Sequence, residues 1–213
     1  MALTKVRGGG VDNPLTLGGG AASDRSIIFD GNAQDFHIGL DDSTDSLTIG
    51  LGSTLGTTSH MVIDANGHIT KPLQPAFHVR KGSTANTNMA KSTYNTITFG
   101  TEVFDQNGDF ASNTFTAPIT GKYYLGANVR LESPDSSCTF HYFEITTSNF
   151  SYLQIYDQPV TSGCDFHGFS LNILADMDAS DTAKLQYYQI GGNDTSDVTG
   201  YDAHAQFYGH LVC

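Results

Sequence analysis

The side chains able to do chemistry in this 213-residue chain are histidines, clustered aspartates and three cysteines, and their spacing decides what each could do. His141, His167, His204 and His210 lie in or beside alternating, strand-like stretches. No pair among them has the i, i+4 helical spacing that a zinc protease uses. No G-x-S-x-G nucleophile turn and no phosphate-cradling P-loop is present. Asp105-Gln-Asn107-Gly108-Asp109 has the look of a calcium loop, but its glycine is fourth rather than sixth and Thr116 stands twelfth, so it reads as a turn between strands. Asp176, Asp178 and Asp181 alternate on a loop and could hold calcium through oxygens, against the plainer reading of a solvated turn. Cys138, Cys164 and Cys213 are an odd count without C-x-x-C spacing; free thiols are favoured over a Cys138 to Cys164 disulfide formed late. Nothing here assembles a nucleophile, a base and an orienting group, and the expectation is a protein that is not an enzyme and needs no cofactor, calcium being the one candidate.

The better candidate for recognition is the loop Gly191 to Asp202, GGNDTSDVTGYD. Asn193, Asp194, Thr195, Ser196 and Asp197 offer donors and acceptors, and Tyr201 adds an amphipathic ring. A rigid scaffold fixes such a loop while leaving its sequence free, which is how loops come to carry binding. The plain alternative is an ordinary surface loop.

The elements that must position these residues are strands. Tyr123, Leu125, Ala127 and Val129 alternate with polar neighbours after Pro118-Ile-Thr-Gly121, the period of a half-buried strand. Further strands are read at Tyr94 to Asp105, with Ile97, Phe99, Val103 and Phe104 as core candidates, and at Cys138 to Thr146, Tyr152 to Tyr156 and Phe166 to Ala175. The 23 glycines and the want of any long 3.6-residue stripe make this an all-β chain.

Charge narrows the partners. The formal net charge is −12, and from Glu132 onward eleven Asp and Glu residues face Lys184 alone. That field repels nucleic acid, whose binding requires cations to displace counterions. The first residues lack the apolar core of a signal peptide and no run approaches a membrane span, so synthesis in a cytosol without secretion or membrane insertion is expected.

Residues 1–22 hold GGG twice, with Leu3, Val6, Val11, Leu15 and Leu17 spaced between. They read as an extended anchor that orders on a partner, the alternative being a flexible leader. Residues 23–71 carry short strands at Ser26 to Phe29, Asp35 to Ile38, Ser46 to Ile49 and His60 to Ile63, separated by Gly, Asn and Asp turns, of which Asn66-Gly67 is the strongest hairpin signal. So few large apolar side chains cannot make a sound monomeric core, and threefold, intertwined association would supply the missing burial.

Two resemblances complete the reading. Phe115-Thr-Ala-Pro-Ile-Thr-Gly121-Lys-Tyr123-Tyr-Leu125 resembles the central signature of the globular head of complement component 1q, which shares a tumour necrosis factor-like jelly roll. Pro75 to Arg80 resembles that family's first strand, Asp181 to Gln189 its seventh, and Phe207-Tyr-Gly209-His-Leu211 its last. Over 72–213 the resemblance implies a ten-stranded jelly-roll sandwich, a homotrimer, core and trimer roles for Phe77, Phe115, Gly121, Tyr123, Leu125, Phe207, Gly209 and Leu211, and the 191–202 loop at the end opposite the termini. Leu125 and His210 depart from the family's preferences for Phe and for an apolar residue. Phe29 to Thr70, and the Met-Ala-Leu-Thr-Lys-Val opening, resemble segments of bacteriophage tail-fibre and other appendage proteins. This implies a virion component assembled in the host cytoplasm, anchored to another virion protein and contacting a host-surface glycan or protein. A capsid decoration or head-fibre protein is the alternative.

Overall fold

A computed structural model describes residues 16–157 and 165–213. These contain strands and turns and no helix, so no helix among them is long and apolar enough to cross a membrane. The chain divides into two compact units, Met1–Leu73 and Gln74–Cys213.

The first unit is a five-stranded antiparallel meander: β1 (Arg25–Phe29), β2 (Phe36–Asp41), β3 (Ser46–Leu51), β4 (Ser59–Ile63) and β5 (Ile69–Thr70). Its turns follow local chemistry. Asp64 Oδ1 accepts the backbone N–H groups of Asn66 and His68 at 2.9 and 2.8 Å, and Gly67 takes a φ of +86°, so β4 and β5 close a tight hairpin. One face of this sheet is covered by the segment after β3: Leu55 packs over Gly39, and His37, Asp41, Ser46 and Thr48 are buried beneath. Asp41 Oδ1 accepts from the backbone N and the hydroxyl of Ser43 at 3.0 and 2.6 Å.

The second unit is a sandwich of two antiparallel sheets. Its strands are β6 (Ala76–Arg80), β7 (Asn86–Met89), β8 (Asn95–Thr96), β9 (Thr101–Asp105), β10 (Phe110–Ala111), β11 (Thr114–Thr116), β12 (Gly121–Glu132), β13 (Cys138–Thr147), β14 (Ser151–Asp157), β15 (Phe166–Met177), β16 (Thr182–Gly191), β17 (Ser196–Val198) and β18 (Ala205–Leu211). One sheet runs β10-β11-β16-β13-β14, with β8 also on β16. The other runs β7-β17-β12-β18-β6-β9, with β15 also on β12. The first and last long strands pair centrally, Phe77 opposite Gly209 and Val79 opposite Phe207, which is a jelly-roll arrangement.

Alternation fills the space between the sheets. Tyr123, Leu125, Ala127, Val129 and Leu131 of β12 are buried, as are Phe143 and Ile145 of β13. Phe77 stacks on Phe115 at 4.7 Å and meets Phe207 edge-on at 5.1 Å, aromatic contacts that add to the burial itself. Gly209 makes this possible, because a Cβ there would lie 2.5 Å from Leu125 and 2.9 Å from the Phe77 ring. Tyr123 keeps its hydroxyl satisfied by donating to the Ile119 carbonyl at 2.7 Å. Leu211 is half-buried at the margin of this core and Gly121 opens β12 against the C-terminus.

The stretch Tyr94 to Asp105 departs from expectation. It is two short strands, β8 and β9, with a break at residues 97–100. Ile97 is buried and Phe99 packs on the core, but Val103 and Phe104 are exposed, because β9 pairs only with β6.

Candidate functional site

Strand directions put the two ends of the sandwich to different uses. Gln74 donates its Nε2 to the Leu211 carbonyl at 2.7 Å, and Lys122 donates its backbone N–H to the Cys213 carbonyl, so the unit begins and ends at one base. The opposite, apical end gathers the β12–β13 connection, residues 133–137, the β16–β17 connection, residues 192–195, and Asn88 of β7. Between them is a cleft of about 420 Å³ lined by Asn88, Ser133, Asp135, Asp194, Thr195 and Asp197 among others.

Asp135 builds this cleft. Its Oδ1 accepts the backbone N–H of Ser137 at 2.8 Å and the Ser137 hydroxyl at 2.7 Å. Its Oδ2 accepts the N–H of Asp194 at 2.8 Å and the Gln189 side-chain amide at 3.3 Å. Ser137 in turn accepts the N–H of Asn193 at 2.9 Å. Burial works against the charge of this carboxylate, yet the donors from Ser137, Asp194 and Asn193 prevail and hold its pKa below the usual carboxylate range. Gln189, wholly buried, completes the tie: its Oε1 accepts the hydroxyls of Tyr187 and Ser196, each at 3.0 Å, and its amide donates to the Asp194 carbonyl at 3.0 Å. Two apical loops, more than 50 residues apart in sequence, are thereby fixed to one another.

Backbone strain marks the same place. Asn88 and Ser133, at φ of +52° and +49°, both line the cleft, and non-glycine residues in that region cost free energy that surrounding contacts must offset. Asp197 supplies one such contact by accepting the Asn88 N–H at 2.6 Å, and the Thr195 hydroxyl bonds Asn88 Oδ1 at 3.2 Å.

The loop expected over 191–202 is therefore only partly a loop. Residues 196–198 form β17, paired with both β7 and β12. Ser196 is fully buried with its hydroxyl committed to Gln189, so it cannot meet a partner and is removed from the recognition set. Asp194, Thr195 and Asp197 line the cleft and Asn193 is exposed beside it. Tyr201 is 69% exposed and lies stacked on His204 at 5.1 Å. His204 is placed by the Thr199 hydroxyl, 2.8 Å from its Nδ1, and stands 3.2 Å from Glu132 Oε1. Nearby, the Arg130 guanidinium sits 4.3 Å above the Phe166 ring, a cation–π contact.

Other expected residues fall elsewhere. Asp176, Asp178 and Asp181 are at the base and are turned to structural use: Asp176 pairs with Lys122 at 2.5 Å, and Asp181 Oδ2 accepts the Asp178 N–H at 2.8 Å and the Asn149 amide at 2.6 Å. Among the described residues no group of three His, Cys, Asp or Glu is placed to hold a metal ion. Asp105 likewise caps its own turn by accepting the N–H groups of Asp109 and Phe110. The anchor residues Leu3, Val6, Val11 and Leu15, and Cys164 with its candidate disulfide, lie outside the described residues. Leu17 is described and half-exposed. Cys138 is a buried free thiol and Cys213 an exposed one.

Two buried groups escape sequence reading. His141 faces inward from β13, its Nδ1 3.4 Å from the Cys138 sulfur and its Nε2 3.2 Å from Nδ1 of His167, which comes from β15 in the other sheet. Burial, with His167 beside it, pushes the His141 pKa down to about 4. Lys81 is also fully buried, donating to the Thr98 carbonyl at 2.9 Å and to Asn86 Oδ1, and burial lowers its pKa to about 8. Inward alternation in His141-Tyr-Phe143-Glu-Ile145 is the one signal that could have placed His141.

The fold and the apical end define a class: an all-β, jelly-roll-like sandwich that carries a polar cleft at the end away from its chain termini. The chain matches no protein-family model and no curated protein. Among solved structures it is similar to the globular domain of zebrafish complement 1qA protein, at 18% identity over 66% of this chain and 98% of that one, with a TM-score of 0.41. It is also similar to murine APRIL crystallised at pH 8.0 and at pH 8.5. Both match at 8% identity over 65% of this chain and 99% of theirs, with TM-scores of 0.48 and 0.47. The class rests on the strand order, not on these likenesses.

Proposed function

We propose that this protein is a homotrimeric bacteriophage virion component, of the tail fibre or tail tip, whose jelly-roll head makes reversible, non-enzymatic contact with the host surface. The observation that carries the reading is the separation of ends: the chain enters and leaves the sandwich at its base, while the cleft of Asp194, Thr195 and Asp197 and the exposed Tyr201 ring are held at the apex. A head attached at one end and presenting fixed polar and aromatic groups at the other suits adhesion. The resemblance of residues 1–70 to phage appendage segments supplies the virion context.

Phe77, Phe115, Tyr123, Leu125 and Phe207 are buried in the core of a single copy, and the trimer face is assigned to the outer side of the β9-β6-β18-β12-β15 sheet. There the hydroxyls of Tyr124 and Tyr208 converge on Asn172 Oδ1 at 2.9 and 3.1 Å, with His78 edge-on to Tyr208. Three copies would present three apical clefts on one axis, and contacts of millimolar strength would combine through effective concentration.

Adsorption competition tests the reading. Purified full-length protein should slow attachment of its phage to host cells, and a Tyr201→Ala, Asp194→Ala double variant should compete at least tenfold more weakly. Unimpeded attachment in saturating wild-type protein would remove the adhesion role.

A further inference from the structure

The N-terminal sheet is built inside out. Its covered face holds His37, Gly39, Asp41 and Thr48 under Leu55, small or polar side chains. Its open face holds the large apolar ones. Ile27, Ile38, Ile49 and Met61 stand directly opposite one another across four strands, and flanking rows run through Phe36 and Leu47. Phe36, Leu47 and Ile49 are 42%, 42% and 38% exposed. Period-two alternation in β2 and β3 thus points its apolar members away from the cover that the described residues provide.

We infer that this open face is a contact surface between copies of this same chain. Charge argues for a copy rather than a foreign partner. Among the described residues of these rows the one charged side chain is Arg25 at the margin, opposite Leu40, and its guanidinium is held by Ser23 and by the Asp24 carbonyl. In a chain of formal net charge −12, two copies repel over most of their surface and can approach where charge is absent. A second copy brings the same uncharged rows.

Area argues the same way. The four strands β1–β4, each about 4.8 Å wide with about five residues of 3.4 Å, give a face of roughly 19 by 17 Å. That matches the ~300–600 Å² of the largest apolar patch on a typical monomer, which is often functional, and lies below the ~800 Å² per partner of a self-sufficient interface. A face of this size holds together when its partners are already tethered nearby, as neighbouring N-terminal sheets are once the heads associate. In that respect the inference rests on the proposed head trimer. The chain's own Leu17 borders a 270 Å³ groove with Ile27, Ile38 and Leu47 at the β1–β2 end of the row, yet Leu17, Ile27 and Ile49 all stay exposed, so it does not cover the face.

The test uses the purified full-length chain alone, by native mass measurement and by carbene footprinting of Ile38 and Ile49, each compared with the same residue in the unfolded chain. Three copies, with both residues labelled at least tenfold less than when unfolded, is the expected result. An Ile38→Lys, Ile49→Lys double variant should then restore labelling of Phe36 and Leu47 while Gly121–Glu132 in the head stays protected. Three copies with Ile38 and Ile49 labelled within about twofold of the unfolded level would overturn the inference and leave the head trimer standing, the face then being for another protein. A single copy with the face labelled would overturn both, and a single copy with the face protected would assign the cover to the chain itself and overturn the inference alike.

Discussion

The Oδ2 atom of Asp135 lies 1.9 Å from where a Cβ on residue 192 would stand, so only glycine can occupy that position while the carboxylate keeps its place. Gly192 also has a φ of +88°, a region that side-chain-bearing residues rarely adopt. Asp135 lines the apical cleft and the bare Gly192 backbone lets its carboxylate reach the 192–195 loop, and neither carries a signal in the sequence that points to the other.

Gly192→Ala should therefore disrupt the apex through both backbone strain and collision. A loss of about 1–3 kcal/mol in unfolding free energy is expected, measured by urea titration. Amide exchange should rise in residues 192–197 and stay unchanged in β12. An unchanged midpoint would mean that Asp135 moves aside at no cost.

Asp135 also predicts an acid response. Its folded pKa is depressed, so its contribution is complete above the unfolded carboxylate value near 3.8 and is lost as pH falls through the folded value. Amides of Ser137 and Asp194 should keep their exchange protection at pH 3.8 and lose it only at lower pH, whereas Asp135→Asn, which keeps the shape and lacks the charge, should show weak protection at every pH. Removing hydrogen bonds to a charged acceptor costs about 1.5–3 kcal/mol.

His141 acts higher on the pH scale. Its pKa falls from 6.5 unfolded to about 4 folded, so the unfolded chain binds the extra proton between those values. Stability is full above pH 6.5 and declines as pH falls to 4, by about 3 kcal/mol at 1.36 kcal/mol per unit. In His141→Phe the slope of unfolding free energy with pH should flatten between 6.5 and 4. A slope equal to wild type would show that another group titrates there.

Phe77 tests the core. It touches Phe110, Phe115 and Phe207 in one aromatic cluster, and Phe77→Ala should cost about 3–5 kcal/mol by chemical denaturation. A cost under about 1 kcal/mol would mean that the strands rearrange to close the cavity.

What was legible in the chain was local. Turn residues such as Asn66-Gly67 punctuated the meander, and alternation from Tyr123 to Val129 marked β12 and its buried side, because both signals live within a few residues of sequence. What was not legible depends on distant pairing. Ser196 and Val198 look like loop residues until β7 and β12 close over them. His141 and His167 meet across two sheets, and Asp135 acquires its role from donors on Gln189 and Asp194. The alternation of β2 and β3 gave two faces without saying which one the segment around Leu55 would cover.

Where the apical cleft is displayed on the particle decides between adhesion and decoration. Intact phage particles labelled with an antibody against residues 72–213 and viewed by electron microscopy should carry gold at the tail end only, in few copies per particle. Label spread across the capsid in many copies would contradict the adhesion reading and make the protein a capsid decoration.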